Sequence, residues 1–265
     1  MCLFSEPPLF ELPPRSSKPR QHGLTSMIDF GPDTFGWSGG EFGIRDLLSV
    51  AAGYIDYAKI YAMNALLIPA DIVSRTTRLY LDAGVAPFAG GILFEYAWQR
   101  GQLDELIAHL KRLAIPGLEI SENYVTLNTE ERRRVIERMQ REGLRVIYEF
   151  GRKNPVQPLS VQYLGELVHD ITHLGIHHVT VEQCEIDLLA AQSPQALQVL
   201  AREPWFRHIV IEADPYRFPQ QHVKLIQDLG PEVNLANIAP GQVLRLEGFR
   251  RGIGRAVDYS LLSKR

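Results

Sequence analysis

Eight short runs of β-branched or apolar residues recur along this chain, separated by longer segments of helical period, and that recurrence restricts the fold more than any other feature. The runs are GLTSMIDF (23–30), YIDYAKIY (54–61), VAPFAGG (85–91), GLEISE (117–122), LRVIYEFG (144–151), HHVTVEQ (177–183), HIVIEAD (208–214) and VNLANI (233–238). Their starts lie about 30 residues apart, the size of one strand–helix unit. Eight such units predict a single closed (β/α)8 TIM barrel, with an open doubly wound sheet as the alternative. The length of 265 residues suits one barrel domain. We place that domain at 21–265. Residues 1–20 hold Pro7, Pro8, Pro13, Pro14 and Pro19 and read as a Pro-rich N-terminal arm, because fixed φ angles and missing N–H groups oppose a packed element.

Between the strands, Leu103 to Leu113 and Glu130 to Arg141 have amphipathic period, the second opened by Thr129 as N-cap with two acids in its first turn. Gly53, Gly84, Gly117, Gly143 and Gly175 fall where helix-to-strand turns need left-handed residues. Lys plus Arg number 28 against 31 Asp plus Glu, a net charge of −3 with no basic run, which argues against nucleic acid or an anionic membrane as partner. No apolar stretch approaches the ~20 residues of a membrane span, and no signal-peptide core is seen, so a cytoplasmic location is expected. With only Cys2 and Cys184, neither a disulfide framework nor a CxxC zinc site can be built.

A barrel enzyme carries its chemistry at the C-terminal ends of its strands. Those ends hold Asp29, Lys59, Gly90 with Gly91, Glu119 with Glu122, Glu149, Glu182 with Glu185, Glu212 with Asp214, and Asn234 with Asn237. Alternation sends neighbouring side chains to opposite faces, so not all of the acids face the mouth. Carboxylates crowded at one rim repel one another unless a counter-charge intervenes. A divalent cation, Mg²⁺ or alternatively Mn²⁺, held by oxygen ligands would supply it, together with Lys59 and Lys153; ordinary rim salt bridges are the plainer reading. Lys153, in YEFGRK, is placed to act as a general acid or to anchor a small anionic substrate. Two Gly-rich pieces are candidate phosphate cradles: GWSGG (36–40), and GFRRG (248–252) with Arg250 and Arg251, the latter favoured because barrel phosphate sites use the loops after strands 7 and 8. His177 and His178 start a strand at the wrong end for catalysis. HExxH, GxSxG and Walker patterns are absent. Cys184 reads as a small buried residue before it reads as a nucleophile.

The strings KPRQHGLTSMID, YIDYAKI, AGGILFEYA, LEISE, EFGRK and VNLANIAPGQVLRLEGFRRG, in this order, resemble the phosphosulfolactate synthase family from Lys18 to about Gly254. The resemblance implies a (β/α)8 lyase that uses Mg²⁺ to add sulfite to phosphoenolpyruvate, with attack expected at C2 and protonation at C3. It implies Lys153 as general acid, with Glu149 and Lys59 beside it, and strand-end acids Asp29, Glu119, Glu122, Glu182 and Glu212 as metal ligands. Substrate contacts are expected from Arg152, Asn64, Tyr61, Cys184, Asn237, Arg250 and Arg251. A homo-oligomer, with a trimer as the candidate form, is also implied by the resemblance. The sequence departs from the family at the mouth. Asp-Lys-Gly after strand 1 reads Asp29, Phe30, Gly31; Gly-Trp-Gly-Thr after strand 2 reads Tyr61, Ala62, Met63, Asn64; Ser-Asp-Gly reads Ser121, Glu122, Asn123; Glu-Gly-Arg-Glu reads Glu182, Gln183, Cys184, Glu185. Loss of a lysine and an arginine removes charge-assisted contacts to anions, so the expectation is a family lyase with an altered substrate. The family reaction itself, with Arg152, Arg250, Arg251 or Lys59 replacing the lost cations, is one alternative. A non-catalytic role, as in the plant heat-stress-associated proteins that the family also resembles, is another.

Overall fold

Every predicted run forms a parallel strand: β1 (Thr25–Asp29), β2 (Tyr57–Ile60), β3 (Ala86–Ala89), β4 (Gly117–Ser121), β5 (Arg145–Phe150), β6 (Val179–Val181), β7 (Ile209–Glu212) and β8 (Leu235–Ile238). Consecutive strands pair and β8 returns to β1, so the sheet closes as a (β/α)8 barrel. The structure, a computed structural model, describes residues 10–31, 40–193 and 195–263. Cys2, Pro7, Pro8 and all of GWSGG but Gly40 lie outside them.

The helices are α1 (Glu41–Ala51), α2 (Asn64–Leu67), α3 (Ala70–Asp82), α4 (Gly91–Arg100), α5 (Leu103–Arg112), α6 (Thr129–Arg141), α7 (Val161–His173), α8 (Gln183–Gln192), α9 (Ala196–Leu200), α10 (Gln220–Leu229) and α11 (Val243–Arg250). Their apolar faces meet the outward strand positions in one core, where Met27, Ile60, Leu118, Ile120, Tyr148 and Val181 pack with helix residues such as Tyr80, Leu110, Ile136 and Leu164. Each buried aliphatic side chain contributes about 1.5–3 kcal/mol. Leu24, Val210 and Ala236, with Tyr57 beside them, form a second, small cluster inside the barrel.

Local chemistry corrects two turn-level expectations. The N-cap of α6 is Asn128, not Thr129: the Asn128 side chain accepts from the Glu131 amide and the Glu131 carboxylate accepts from the Asn128 amide, a complete capping box. Gly84, Gly143 and Gly175 adopt positive φ, but Gly53 and Gly117 do not: Gly53 lies within the 3-10 turn Ala52–Tyr54, and Ala114 at φ 59° makes the turn before β4. Gly117 is needed for space, since a Cβ there would lie 2.8 Å from the Cβ of Phe88.

Residues 10–22 form no helix or strand. Lys18 donates to the carbonyls of Ala52 and Ile55, Arg20 pairs with Asp56 at 2.9 Å, and Arg15 bonds Glu232 and the Gly23 carbonyl. These partners precede β1, β2 and β8, so the segment covers the N-terminal end of the barrel and leaves the opposite mouth to the strand C-termini. At the β1–β8 seam, Thr25 faces Leu235 and Met27 faces Ile238, so β8 carries one extra residue. Asn237 absorbs this bulge at φ 57°.

Candidate active site

Strand phase decides which strand-end charges meet. Residues alternate between helix layer and barrel interior, and Lys59 on β2, Glu119 on β4, Glu149 on β5 and Glu212 on β7 share the inward phase. Lys59 Nζ lies 2.8 Å from Glu119, 2.9 Å from Glu212 and 3.3 Å from Glu149, all four residues being buried. One oxygen from each carboxylate falls within 4.8 Å of the others. Glu119 also accepts from the Gly91 amide at 2.9 Å, which ties the start of α4 to the cluster.

The second lysine lies nearer the opening. Lys153, its side chain one-third exposed, hydrogen-bonds Glu182 and lies 3.8 Å from Glu212. Glu182, Glu212, Glu119 and Glu149 thus surround two ammonium groups, and two negative charges remain if all are ionised. Burial, supplemented by Glu149 and Glu212, holds Glu119 well above the carboxylate range despite Lys59. Burial also works upward on Glu149, but Lys59, Lys153 and hydrogen bonds from Asn123 and Glu119 outweigh it and bring it to about 2. Glu182 rises to about 8 through burial and the charges of Glu212 and Glu149, against the opposing pull of Lys153. Burial alone would lower both lysines; the surrounding acids more than offset it, and both stay above the ordinary lysine value. The site therefore stores protons both on acids and on the two ammonium groups at neutral pH.

A buried carboxylate on α4, Glu95, organises this end of β4 and β5. It accepts from the Ser121 hydroxyl and from the amides of Asn123, Tyr124 and Val125, the last three at 2.8–3.0 Å. The loop so held presents Asn123, whose Nδ2 donates to Glu149 at 2.8 Å and to the Gly151 carbonyl at 3.0 Å. Sequence reasoning missed both as site residues. The available signal for Glu95 was an acid set in the otherwise apolar run GILFEYAW. Gly151, at φ 120°, is required because a Cβ would lie 2.6 Å from Glu185 Cγ. Glu185 in turn accepts from the Arg152 amide at 3.0 Å.

Several predicted site residues lie elsewhere or are already engaged. Asp29 takes the outward phase of Met27, and accepts from the Tyr80 hydroxyl at 2.7 Å and the Gly31 amide at 2.9 Å. Glu122, past the end of β4, faces α6 and pairs with Arg132 at 2.8 Å while accepting from the Tyr148 hydroxyl. Neither acid joins the carboxylate cluster. Arg250 and Arg251 are at the far end of the barrel, because α11 runs back from the mouth. Arg250 donates to the carbonyls of Pro231, Val233 and Leu24, and Arg251 to Glu247 and the Pro13 carbonyl. Burial brings the Arg250 guanidinium down to about 9. Arg152 is at the mouth but donates to the Val125 carbonyl and the Thr126 hydroxyl. Asn64 donates to the Phe30 carbonyl at 2.9 Å, and Tyr61, partly exposed, packs on the Phe30 ring. Cys184 is half-buried in the first turn of α8 and not the buried residue expected, and burial and the Glu182 charge raise its thiol pKa. The buried Asn237 Oδ1 has no hydrogen-bond partner among the described residues.

Glu119, Glu149 and Glu212 fit a divalent cation by donor type and mutual spacing, and the excess negative charge matches it. Lys59 contacts the same three carboxylates, so a bound ion shares them with its ammonium.

Fold and site together define a (β/α)8 barrel with a buried acid–lysine centre at the end where such barrels do chemistry. A family profile described as (2R)-phospho-3-sulfolactate synthase (ComA) matches residues 13–255, and the chain belongs to that family. The phosphosulfolactate synthase of Methanocaldococcus jannaschii is 32% identical over 245 residues, covering 88% of this chain and 92% of its own. That of Bacillus subtilis is 27% identical over 254 residues, covering 92% and 95%. Among solved structures, the carboxyl transferase domain of Rhizobium etli pyruvate carboxylase superposes with a TM-score of 0.52 at 9% identity, over 91% of this chain and 46% of that one, a likeness of fold alone. The relatives imply a lyase-type enzyme.

Proposed function

We propose that this protein is a lyase of the phosphosulfolactate synthase type that adds a nucleophile to an enol-type carboxylate carrying less negative charge than phosphoenolpyruvate plus sulfite. The observation that supports the altered substrate is the engagement of every cation expected to replace the family's lost lysine and arginine. Arg152 is bonded to the β4 loop, Arg250 and Arg251 are at the far end, and Lys59 is enclosed by three carboxylates. Lys153 stands at the mouth with its side chain one-third exposed, its ammonium held by Glu182.

The product name of the family puts sulfur on carbon 3 of the lactate skeleton, which reverses the regiochemistry expected from the sequence. The nucleophile's lone pair forms the new bond to C3, the C2=C3 pair moves onto C2 and its carboxylate, and C2 then takes a proton. Lys153 is the acid that supplies it, and its amine regains a proton from solvent. The Glu182 and Glu212 carboxylates orient the ammonium for that transfer. Glu119, Glu149 and Glu212 would hold Mg²⁺, which, when bound, stabilises negative charge on the substrate carboxylate. Lys59 holds these three carboxylates together facing inward, and with Asn123 it favours the ionised form of Glu149.

The family reaction itself is the second reading, favoured by the 32% identity that extends over nearly the whole chain. A phosphorus NMR time course with Mg²⁺, phosphoenolpyruvate and sulfite, run beside Lys153→Ala, separates the two. Phosphosulfolactate formed by the wild type and not by the variant establishes the family reaction. No turnover of this pair, with turnover of a less charged enol-type acid that Lys153→Ala abolishes, establishes the altered substrate. Retention of activity in Lys153→Ala refutes the mechanism in either case. Light scattering tests the homo-oligomer that the resemblance implies.

A further inference from the structure

Beneath the acid ring the barrel is hollow. Interior positions that bulky branched side chains ordinarily fill carry Ser26, Thr180 and Ala236 here, and a cavity of about 310 Å³ remains, at the lower end of ligand-pocket sizes. Its walls are apolar and aromatic: Leu24 and Val210 on one side, and Tyr57 with Phe88 edge to face at 6.4 Å on the other. Lys59 and Glu119 form its roof, so it approaches the candidate active site from below.

The two ends of this cavity differ in what they offer a ligand. At the roof, the Lys59 ammonium is taken up by three carboxylates, and an added anion would meet Glu119. At the floor, on the N-terminal end of the barrel, Arg145 is exposed and has no carboxylate partner among the described residues. Of the neighbouring polar groups, Arg20 pairs with Asp56 and the His178 ring bonds the Gln21 carbonyl, while His177 lines the same floor. A ligand of matching polarity places an apolar body between the aromatic walls and one anionic group at the floor, against Arg145.

We propose that this cavity is a second binding site, distinct from the mouth, for a compact monoanionic carboxylate with an aromatic or branched apolar body. Phenylacetate is the probe and phenylacetamide its neutral counterpart, titrated by calorimetry and by saturation-transfer NMR against the full-length protein. The expected result is saturable phenylacetate binding that weakens about tenfold for the amide and about tenfold in Arg145→Ala, the loss of one charge-assisted contact. Arg145 is exposed, so this variant tests the contact without disturbing the core. Ala236→Leu fills the cavity and is expected to abolish binding. Should Ala236→Leu fail to fold, intermolecular NOEs from the phenylacetate ring to Tyr57 and Phe88 in the wild type serve instead. Three results overturn the proposal: no saturable binding, equal affinity in wild type and Arg145→Ala, which marks an adventitious additive only, or NOEs to mouth residues in place of Tyr57 and Phe88.

Discussion

Replacing Lys59 by Met removes the ammonium from the centre of Glu119, Glu149 and Glu212 while keeping a side chain of similar length. In the wild type the three contacts are 2.8, 3.3 and 2.9 Å and all the groups are buried. Removing one partner from such a buried arrangement costs about 3–5 kcal/mol, because the remaining charges are neither solvated nor paired. At about 2–4 °C per kcal/mol for a chain of this size, the midpoint of thermal unfolding should fall by about 10 °C near pH 8. The direction with pH is set by linkage. Without the ammonium, burial should lift Glu119 and Glu149 toward folded-state values above their unfolded ones, so the stability they contribute is present in acid and lost as pH rises through the folded values. The penalty should therefore be small near pH 5 and large near pH 8. Glu182 imposes the same trend on the wild type, since its folded value of about 8 exceeds the unfolded one and stability declines through that interval. Calorimetric scans of both proteins at the two pH values, with and without Mg²⁺, provide the assay. Mg²⁺ should restore part of the loss in Lys59→Met by occupying the vacated charge position. A drop equal at both pH values, or a midpoint within about 2 °C of wild type near pH 8, would refute the electrostatic account of this cluster.

Asn123→Ala removes a hydrogen bond that lowers the Glu149 pKa, so the Glu149 carboxyl should titrate higher, as read by carbon NMR of the labelled side chain. Arg250→Met leaves the carbonyls of Pro231, Val233 and Leu24 without their donor, and should cost about 3 kcal/mol in denaturant unfolding with turnover per folded molecule unchanged. Cys184→Ser should retain full turnover, because the raised thiol is a poor nucleophile and Lys153 carries the proposed proton transfer.

The eight strands and their closure were legible because each strand is a short apolar run bounded by turn chemistry, a pattern that survives without knowledge of tertiary contacts. The charge ring was legible in composition but not in direction. Asp29 and Glu212 look alike in sequence, and both ends are buried, so hydropathy does not reveal which acid faces inward. The phase does: Asp29 lies two residues beyond Met27 and points with it to the helix layer, where Tyr80 meets it. Glu95 was hidden for a different reason. Its partners are backbone amides of the loop after β4, and no residue pattern encodes the path of that loop.

The misplaced arginines show how position along the chain differs from position in the barrel, and they underlie the proposal that the substrate carries less charge. GFRRG comes after strand 8 in sequence, but the helix Val243–Arg250 intervenes, and its eight residues carry the chain about 12 Å back toward the N-terminal end. Arg250 and Arg251 consequently secure the β1–β8 seam and the segment around Pro13 in place of an anion at the mouth. Two strongly cationic groups that the sequence assigns to the substrate are spent on closing the opposite end of the barrel. Of the cations expected at the mouth, Lys153 keeps a partly exposed side chain, its ammonium among carboxylates whose pKa values are already displaced by crowding. A trianionic enol phosphate approaching together with a dianionic nucleophile would meet that excess of negative charge with Lys153 as the partly exposed counter-charge. On the proposed function, a substrate of lower charge would meet it with Lys153 already oriented by Glu182 and with three carboxylates that would hold a divalent cation.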